Sequence, residues 1–260
     1  MRFCITFERT GRQRMMPVDY QYYIGAWIYK VIGKADPAFA RFLHEQGYAD
    51  GNKHFKLFCY SPLHFGKPVL WKERGLFEIM TNTLSVKVSF FMPDAAERFI
   101  IGLFNDQQVF VGNMFNGIDL SVLQIERLSE PAIHKHMKYR ANSPVVVSYK
   151  EESQRYARYL SPEDEGYSLL LKNNLIQKLK TIPIVPHLPD DFDFALRITG
   201  TARSKLVAVK PGTSAESKVR GFIYPFELSA PEALHHLLLA AGFGEKNASG
   251  FGWVETDNFK

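Results

Sequence analysis

The chain contains two cysteines, Cys4 and Cys59, and neither belongs to a Cys-x-x-Cys pair, so neither a zinc ribbon nor a dithiol redox site is expected. Both are read as reduced packing residues. No apolar run approaches the roughly 18 residues that a membrane helix needs. The opening segment, Met1-Arg2-Phe3-Cys4-Ile5-Thr6-Phe7-Glu8, alternates as a strand does and does not lead into an apolar signal segment, so a soluble cytoplasmic protein is expected. Carboxylates do not cluster as a two-metal nuclease requires. His134 and His136 would share one face of a strand, but no third ligand stands at a convincing spacing; His235 and His236 are adjacent on a helix and point in different directions. No metal and no other cofactor is expected.

What is present is enough for a substantial core: 260 residues, 46% of them hydrophobic, fit one large domain or two ordinary ones. The net charge of +5 suits a polyanionic partner, and its distribution is more informative than its size. Between positions 197 and 220, Arg197, Arg203, Lys205, Lys210, Lys218 and Arg220 stand against the single acid Glu216. Concentrated cations of this kind neutralise phosphates and release their counterions. The plain alternative is a solvated hairpin.

Hydrophobic patterning predicts one plan used twice. In the first half, Phe3, Ile5 and Phe7 share a strand face, and Ile24, Trp27, Ile28 and Val31 form the stripe of a helix from about Tyr20 to Ile32. Asp36 is the expected N-cap of a second helix with Pro37 at its first position, Phe39, Phe42 and Leu43 on its apolar face and Gly47 at its end. Strands follow at 55–60, 76–80 and 84–91, then a helix from Pro93 that turns Ile100, Leu103 and Phe104 inward, and a strand at 118–125. The second half reads as a strand at 145–149, a helix opened by Ser161-Pro162-Glu163-Asp164 with Tyr167, Leu170, Leu171, Leu175 and Leu179 on one face, strands at 192–200, 205–209 and 218–228, and a helix capped by Ser229-Ala230-Pro231-Glu232. Pro93-Asp94-Ala95 and Pro231-Glu232-Ala233 lie 138 residues apart, each after a long strand, as an internal duplication would leave them. An α+β chain of two tandem ferredoxin-like (βαββαβ) domains, 1–128 and 129–260, is the expected architecture.

The strongest local motif is Gly242-Phe243-Gly244, five residues including Lys246, then Gly250-Phe251-Gly252. A dinucleotide fingerprint follows a strand and opens a helix, whereas this one follows a helix and precedes a strand. Its glycines remove Cβ atoms where another backbone approaches, and they permit the positive φ values that aim N–H groups at an anion.

This loop resembles the signature of the repeat-associated RNA-binding (RAMP) superfamily of CRISPR systems. Gln21-Tyr22-Tyr23, Leu43-His44-Glu45, Lys56-Leu57-Phe58-Cys59-Tyr60-Ser61 and Arg220-Gly221-Phe222 each stand where they do in its repeat-cleaving endoribonucleases, a resemblance that runs along the chain. It implies binding of CRISPR repeat RNA and metal-independent cleavage of precursor crRNA within each repeat. It further implies that Tyr29, His44 and Lys56 do the chemistry: attack by the 2′-hydroxyl on the neighbouring phosphorus, leaving 5′-hydroxyl and 2′,3′-cyclic phosphate ends. The residue pattern agrees, because Tyr29 and His44 lie off the apolar faces of their helices, and histidine suits proton transfer near neutral pH. His44 in a last helical turn, where the macrodipole favours imidazolium, is read as general acid for the departing oxygen, with a base role left open. Lys53 and His54 stand close enough to replace Lys56. The basic hairpin (Arg197, Arg203, Lys205, Lys210, Lys218, Arg220) and the loop (Gly242, Gly244, Lys246, Gly250, Gly252) are the expected RNA-binding residues. A homodimer and association with other interference-complex subunits stay open. The rival readings are a non-catalytic guide-RNA-binding subunit, which would not need His44, and a small-molecule regulatory module on the same scaffold, which would not need the basic hairpin.

Overall fold

The computed structural model describes residues 1–151, 156–182, 188–189 and 191–257. The opening strand, Arg2–Arg9, buries Phe3, Ile5 and Phe7 as its alternation predicts. It occupies the middle of a five-stranded antiparallel sheet in the order Phe58–Tyr60, Thr83–Phe90, Arg2–Arg9, Gly117–Arg127, Gln108–Gly112. Helices α1 (Gln21–Ala35), α2 (Pro37–Glu45) and α3 (Pro93–Asn105) accompany it. Asp36 caps α2 as expected, its carboxylate accepting from Phe39 N at 2.9 Å, and the same side chain takes an ion pair from Arg98 at 2.9 Å. Such a cap is worth about 1 kcal/mol. The C-terminal part has a four-stranded antiparallel sheet in the order Ala195–Ile198, Pro225–Ser229, His136–Ala141, Val254–Thr256, with α4 (Tyr167–Lys180) and α5 (Glu232–Ala241).

Both sheets set the first strand of their half between the third and the last, with helices after the first and third. These are two tandem ferredoxin-like units, and each buries a core of its own: Ile5, Phe7, Ile28, Val88 and Phe99 in the first, Leu171, Leu175, Phe226, Leu237 and Leu238 in the second. Each such side chain contributes about 1.5–3 kcal/mol on burial. The halves are tied by Arg2, whose guanidinium lies 4.4 Å from the Trp253 ring centre and donates to Val254 O at 3.2 Å, and by the Lys87–Glu255 ion pair at 2.6 Å. Among the described residues, no helix is long and apolar enough to cross a membrane.

Several local expectations need correction. The run 55–60 is two strands, Lys53–Phe55 and Phe58–Tyr60, because Leu57 adopts a left-handed backbone (φ 51°) and turns its side chain into the second core. Phe104 is 72% exposed; the inward stripe of α3 is Ala95, Ala96, Phe99 and Leu103, and Phe104 lies one residue past it. Within the two main sheets, two strands were not expected from the pattern: Gln108–Gly112, which forms a hairpin with Gly117–Arg127, and His136–Ala141, which is the first strand of the second sheet where 145–149 was expected. Helix α4 starts at Tyr167, not at Pro162, because Asp164 folds back to accept from Ser161 N at 2.6 Å and closes a turn. Ser229 does not cap α5; its hydroxyl meets His136 Nδ1 at 2.6 Å. The run 218–228 divides at Tyr224, its first part pairing in the hairpin Arg203–Val209/Ser217–Ile223 and its second entering the sheet. Arg197 therefore lies on a sheet strand outside that hairpin.

Candidate active site

The end of α2 is where the first half gathers its polar side chains. Gly47 takes a positive φ (66°) and lets its N–H close onto Phe42 O at 2.7 Å; a Cβ there would sit 2.5 Å from Phe55 O and 2.9 Å from Lys56 Cδ. That tight contact lets Lys56 reach back to the helix, and its Nζ donates to His44 O at 2.7 Å. A cation on a C-terminal carbonyl also complements the helix dipole. The His44 ring is exposed and meets the Tyr29 ring edge-on at 5.0 Å between centres, while Tyr29 packs on Phe58 at 5.5 Å. Burial raises the Tyr29 phenol and lowers the Lys56 ammonium relative to their ordinary values. The phenol therefore stays protonated at neutral pH. His54 shares the neighbourhood, its Nδ1 2.9 Å from Gln46 O, a contact that requires the proton on Nδ1 when the ring is neutral and leaves Nε2 unprotonated.

These groups line a cleft of about 1030 Å³ whose other walls belong to the second half. Among the described residues, Lys53, Lys56, Lys150, Lys178, Lys210 and Lys246 line it together with His44 and His54, against one carboxylate, Glu245. Glu245 is spent on the protein, accepting from Ser148 N at 2.8 Å and Ser148 Oγ at 2.7 Å. Three non-glycine residues among those described have positive φ, namely Leu57, Lys210 and Lys246, and all three line this cleft. Left-handed backbone at such residues costs on the order of 1–3 kcal/mol each, and strain of this kind collects at functional sites.

The glycine-rich loop forms one wall, and its glycines serve close packing. A Cβ on Gly252 would lie 2.0 Å from Phe243 O, and Gly25 of α1 has Ala248 O only 3.1 Å from its own Cβ position. The N–H groups of Phe243, Glu245, Ser249, Gly250 and Gly252 donate to the protein's own acceptors. Gly242, Gly250 and Gly252 are buried outside the cleft lining, whereas Gly244 and Lys246 line it. A residue that sequence reasoning missed holds the loop: Lys178 of α4, whose buried Nζ donates to Gly242 O (2.8 Å), Gly244 O (2.8 Å) and Asn247 Oδ1 (2.7 Å). With no carboxylate bonded to it, burial pushes this ammonium down to about 7. The signal was available, since Lys178 falls beside Leu171, Leu175 and Leu179 on the side of α4 that should be apolar.

The expected basic hairpin is brought in only at its turn, through Lys210. Strand pairing sets Lys218 and Arg220 opposite Ala208 and Leu206 on one face, and Arg203 and Lys205 opposite Ile223 and Gly221 on the other. The hairpin also passes Asp19, whose carboxylate burial raises above its ordinary range while Lys205 and Lys218 act in the opposite sense through their charge. Arg197 is paired with Glu227, away from the cleft. His134 and His136 are exposed, and no group of three metal-ligating side chains converges among the described residues.

Comparison with known proteins adds an independent line. Residues 15–119 match the family model described as CRISPR-associated protein Cas6, N-terminal, and residues 128–256 match that described as CRISPR associated protein Cas6, C-terminal. The chain is 26% identical to the CRISPR-associated endoribonuclease Cas6 of Pyrococcus furiosus, over 100% of this chain and 91% of the relative. It is 27% identical to CRISPR-associated endoribonuclease Cas6 1 of Methanocaldococcus jannaschii, over 95% and 89%. A solved structure of a Cas6-related protein from Pyrococcus furiosus superposes with a TM-score of 0.82 at 20% identity, covering 100% of this chain and 99% of that one, which shows a common fold.

Proposed function

This chain belongs to the Cas6 family of CRISPR-associated proteins, and from that premise we propose that it is an endoribonuclease that binds CRISPR repeat RNA and cuts precursor crRNA within each repeat, without metal. The observation that carries this reading is the meeting of Tyr29, His44 and Lys56, from one half, with Lys210, Gly244 and Lys246, from the other, around one lysine-lined cleft. Cations on several walls suit a phosphate backbone, and a proton-transfer group among them suits its cleavage.

In the reaction we propose, the 2′-hydroxyl gives its proton to a solvent water and its oxygen bonds to the adjacent phosphorus, while the bond from phosphorus to the 5′-oxygen breaks. The products are a 2′,3′-cyclic phosphate and a 5′-hydroxyl. His44, as imidazolium, gives its proton to the departing 5′-oxygen. Lys56 spends one N–H on His44 O and has two left for the charge that grows on the phosphoryl oxygens. Tyr29, held protonated by burial, donates to the same oxygens. We further propose that the domains divide at residues 128 and 129, between the strand that ends at Arg127 and the one that begins at His136, and that the protein acts in the cytoplasm.

The test is the repeat RNA of the array in the chain's own genome, incubated with the protein in excess EDTA. Cleavage at one position per repeat, with the two named termini found by mass spectrometry, is the expected result. A repeat with a single 2′-deoxy substitution before the scissile phosphate should bind and stay intact. Cleavage of that substrate, or a requirement for divalent metal, would overturn the mechanism.

A further inference from the structure

We propose that the cleft-facing side of α4, presented by Asn173, Asn174 and Gln177, is a nucleobase-reading subsite that sets which RNA sequence the protein accepts. This rests on the RNA-cleaving reading above and adds to it the part of the substrate that is read.

Helix α4 has two working faces. Tyr167, Leu171, Leu175 and Leu179 enter the second core, and beside them Leu170, Asn173, Asn174, Gln177 and Lys178, at i, i+3, i+4, i+7 and i+8, line the cleft. The lysines of this helix stay off the open part of that face: Lys172 lies over the Phe192 ring at 4.5 Å, Lys180 is exposed elsewhere, and Lys178 is buried against the loop. What remains open to the cleft is three uncharged amides, facing walls that carry lysines and histidines. The two kinds of wall suit the two parts of a nucleotide. Phosphates carry charge and no sequence, and take the cations; a base edge is neutral and mixes donors with acceptors, which is what a carboxamide offers.

Two further observations favour a reading role over a merely solvated face. Asparagine ranks low in helix propensity, so an Asn-Asn pair inside α4 opposes local preference, a conflict expected where a site needs the side chain. Asn174 Oδ1 is buried without a hydrogen-bond partner among the described residues, and a buried acceptor is normally paired; a turn of this carboxamide toward the cleft would let an exocyclic amine or imino N–H of a base supply the donor. Gln177 is held in place from across the cleft, its Oε1 accepting from Lys53 Nζ at 2.8 Å, which leaves the Nε2 donors for a base acceptor. Tyr22 and Tyr149 line the same cleft and offer ring faces on which an unpaired base can stack. Such a subsite takes unpaired bases, because a duplex hides their Watson–Crick edges and stacking faces.

The experiment works whatever the sequence of the repeat. A pool of RNAs with a randomised segment is bound to the wild type, to Asn173→Ala/Asn174→Ala and to Gln177→Ala, and the retained molecules are sequenced. The wild type should enrich one motif. The variants should enrich the same motif with one to three neighbouring positions made degenerate, should bind the wild-type motif about tenfold more weakly, and should bind the starting pool within about twofold of wild type. An unchanged motif in both variants overturns the subsite while leaving the RNA reading intact; a wild type that enriches no RNA motif overturns both. If the double variant does not fold, Asn173→Ala at its exposed position carries the test, and an undiminished motif there has the same force.

Discussion

The two halves share a strand order and little else. After its first strand the N-terminal half has two helices, and the second of them, α2, ends at His44 with Lys56 folded back onto it. The C-terminal half has one helix there, α4, and spends its extra chain on the hairpin Arg203–Val209/Ser217–Ile223 and on the glycine-rich loop. In the proposed reaction the first contributes exposed or cleft-lining groups for the chemistry, and the second contributes backbone, a buried amine and cations for holding RNA. A duplicated scaffold thus supplies two rigid sheets, and the chemistry sits where the copies differ.

If that division of labour is right, substitutions in the two halves should separate rate from affinity. Lys56→Ala should slow single-turnover cleavage at saturating RNA by about 100-fold, the weight of a lost donor at a charged transition state, with the Kd for uncleavable RNA within a few-fold of wild type. Tyr29→Phe should follow at about tenfold, the weight of one hydrogen bond, again in rate. In the other half, Lys246→Gly should do the reverse. It removes a cleft cation but relaxes a left-handed backbone (φ 57°), so the melting temperature should hold or rise while RNA affinity falls several-fold and the salt slope of log K lessens by about 0.7. A rate effect at saturation there, or an affinity effect at Lys56, would break the comparison.

The smallest effect is one of stability. Lys178 has a native pKa of about 7 against an ordinary 10.5, so between these values the unfolded chain binds a proton that the native state does not. Stability from this group is complete above about pH 10.5 and is lost progressively as pH falls from there to about 7. The difference in melting temperature between wild type and Lys178→Met should therefore grow, in favour of the wild type, by a few degrees from pH 6.5 to pH 9. A difference that stays flat with pH would show that the amine is not buried as described.

Much of this fold and site is legible in the sequence. The Asp36-Pro37 start of α2, the Ile24-Trp27-Ile28-Val31 stripe and the doubled glycine motif are local signals, and local physics decides them. Leu57 was not legible, because its left-handed turn is imposed by two cores competing for neighbouring residues. The hairpin cations were legible as a cluster but not as a surface: register divides Arg203 and Lys205 from Lys218 and Arg220, and only Lys210 at the turn joins the cleft. Lys178 was overlooked because a lysine near a helix end is ordinarily solvated; here three loop acceptors converge on it from residues 64 to 69 positions away.

The central claim is that the His44 imidazole transfers the proton while the opposite half holds the RNA. The measurement closest to it is single-turnover cleavage of the repeat by His44→Ala, beside the Kd of the same variant for a 2′-deoxy-blocked repeat. The account predicts a rate lower by about 10²–10⁴-fold with a Kd within about twofold of wild type. Cleavage at the wild-type rate, or a loss of binding that accounts for the whole loss of activity, would contradict it.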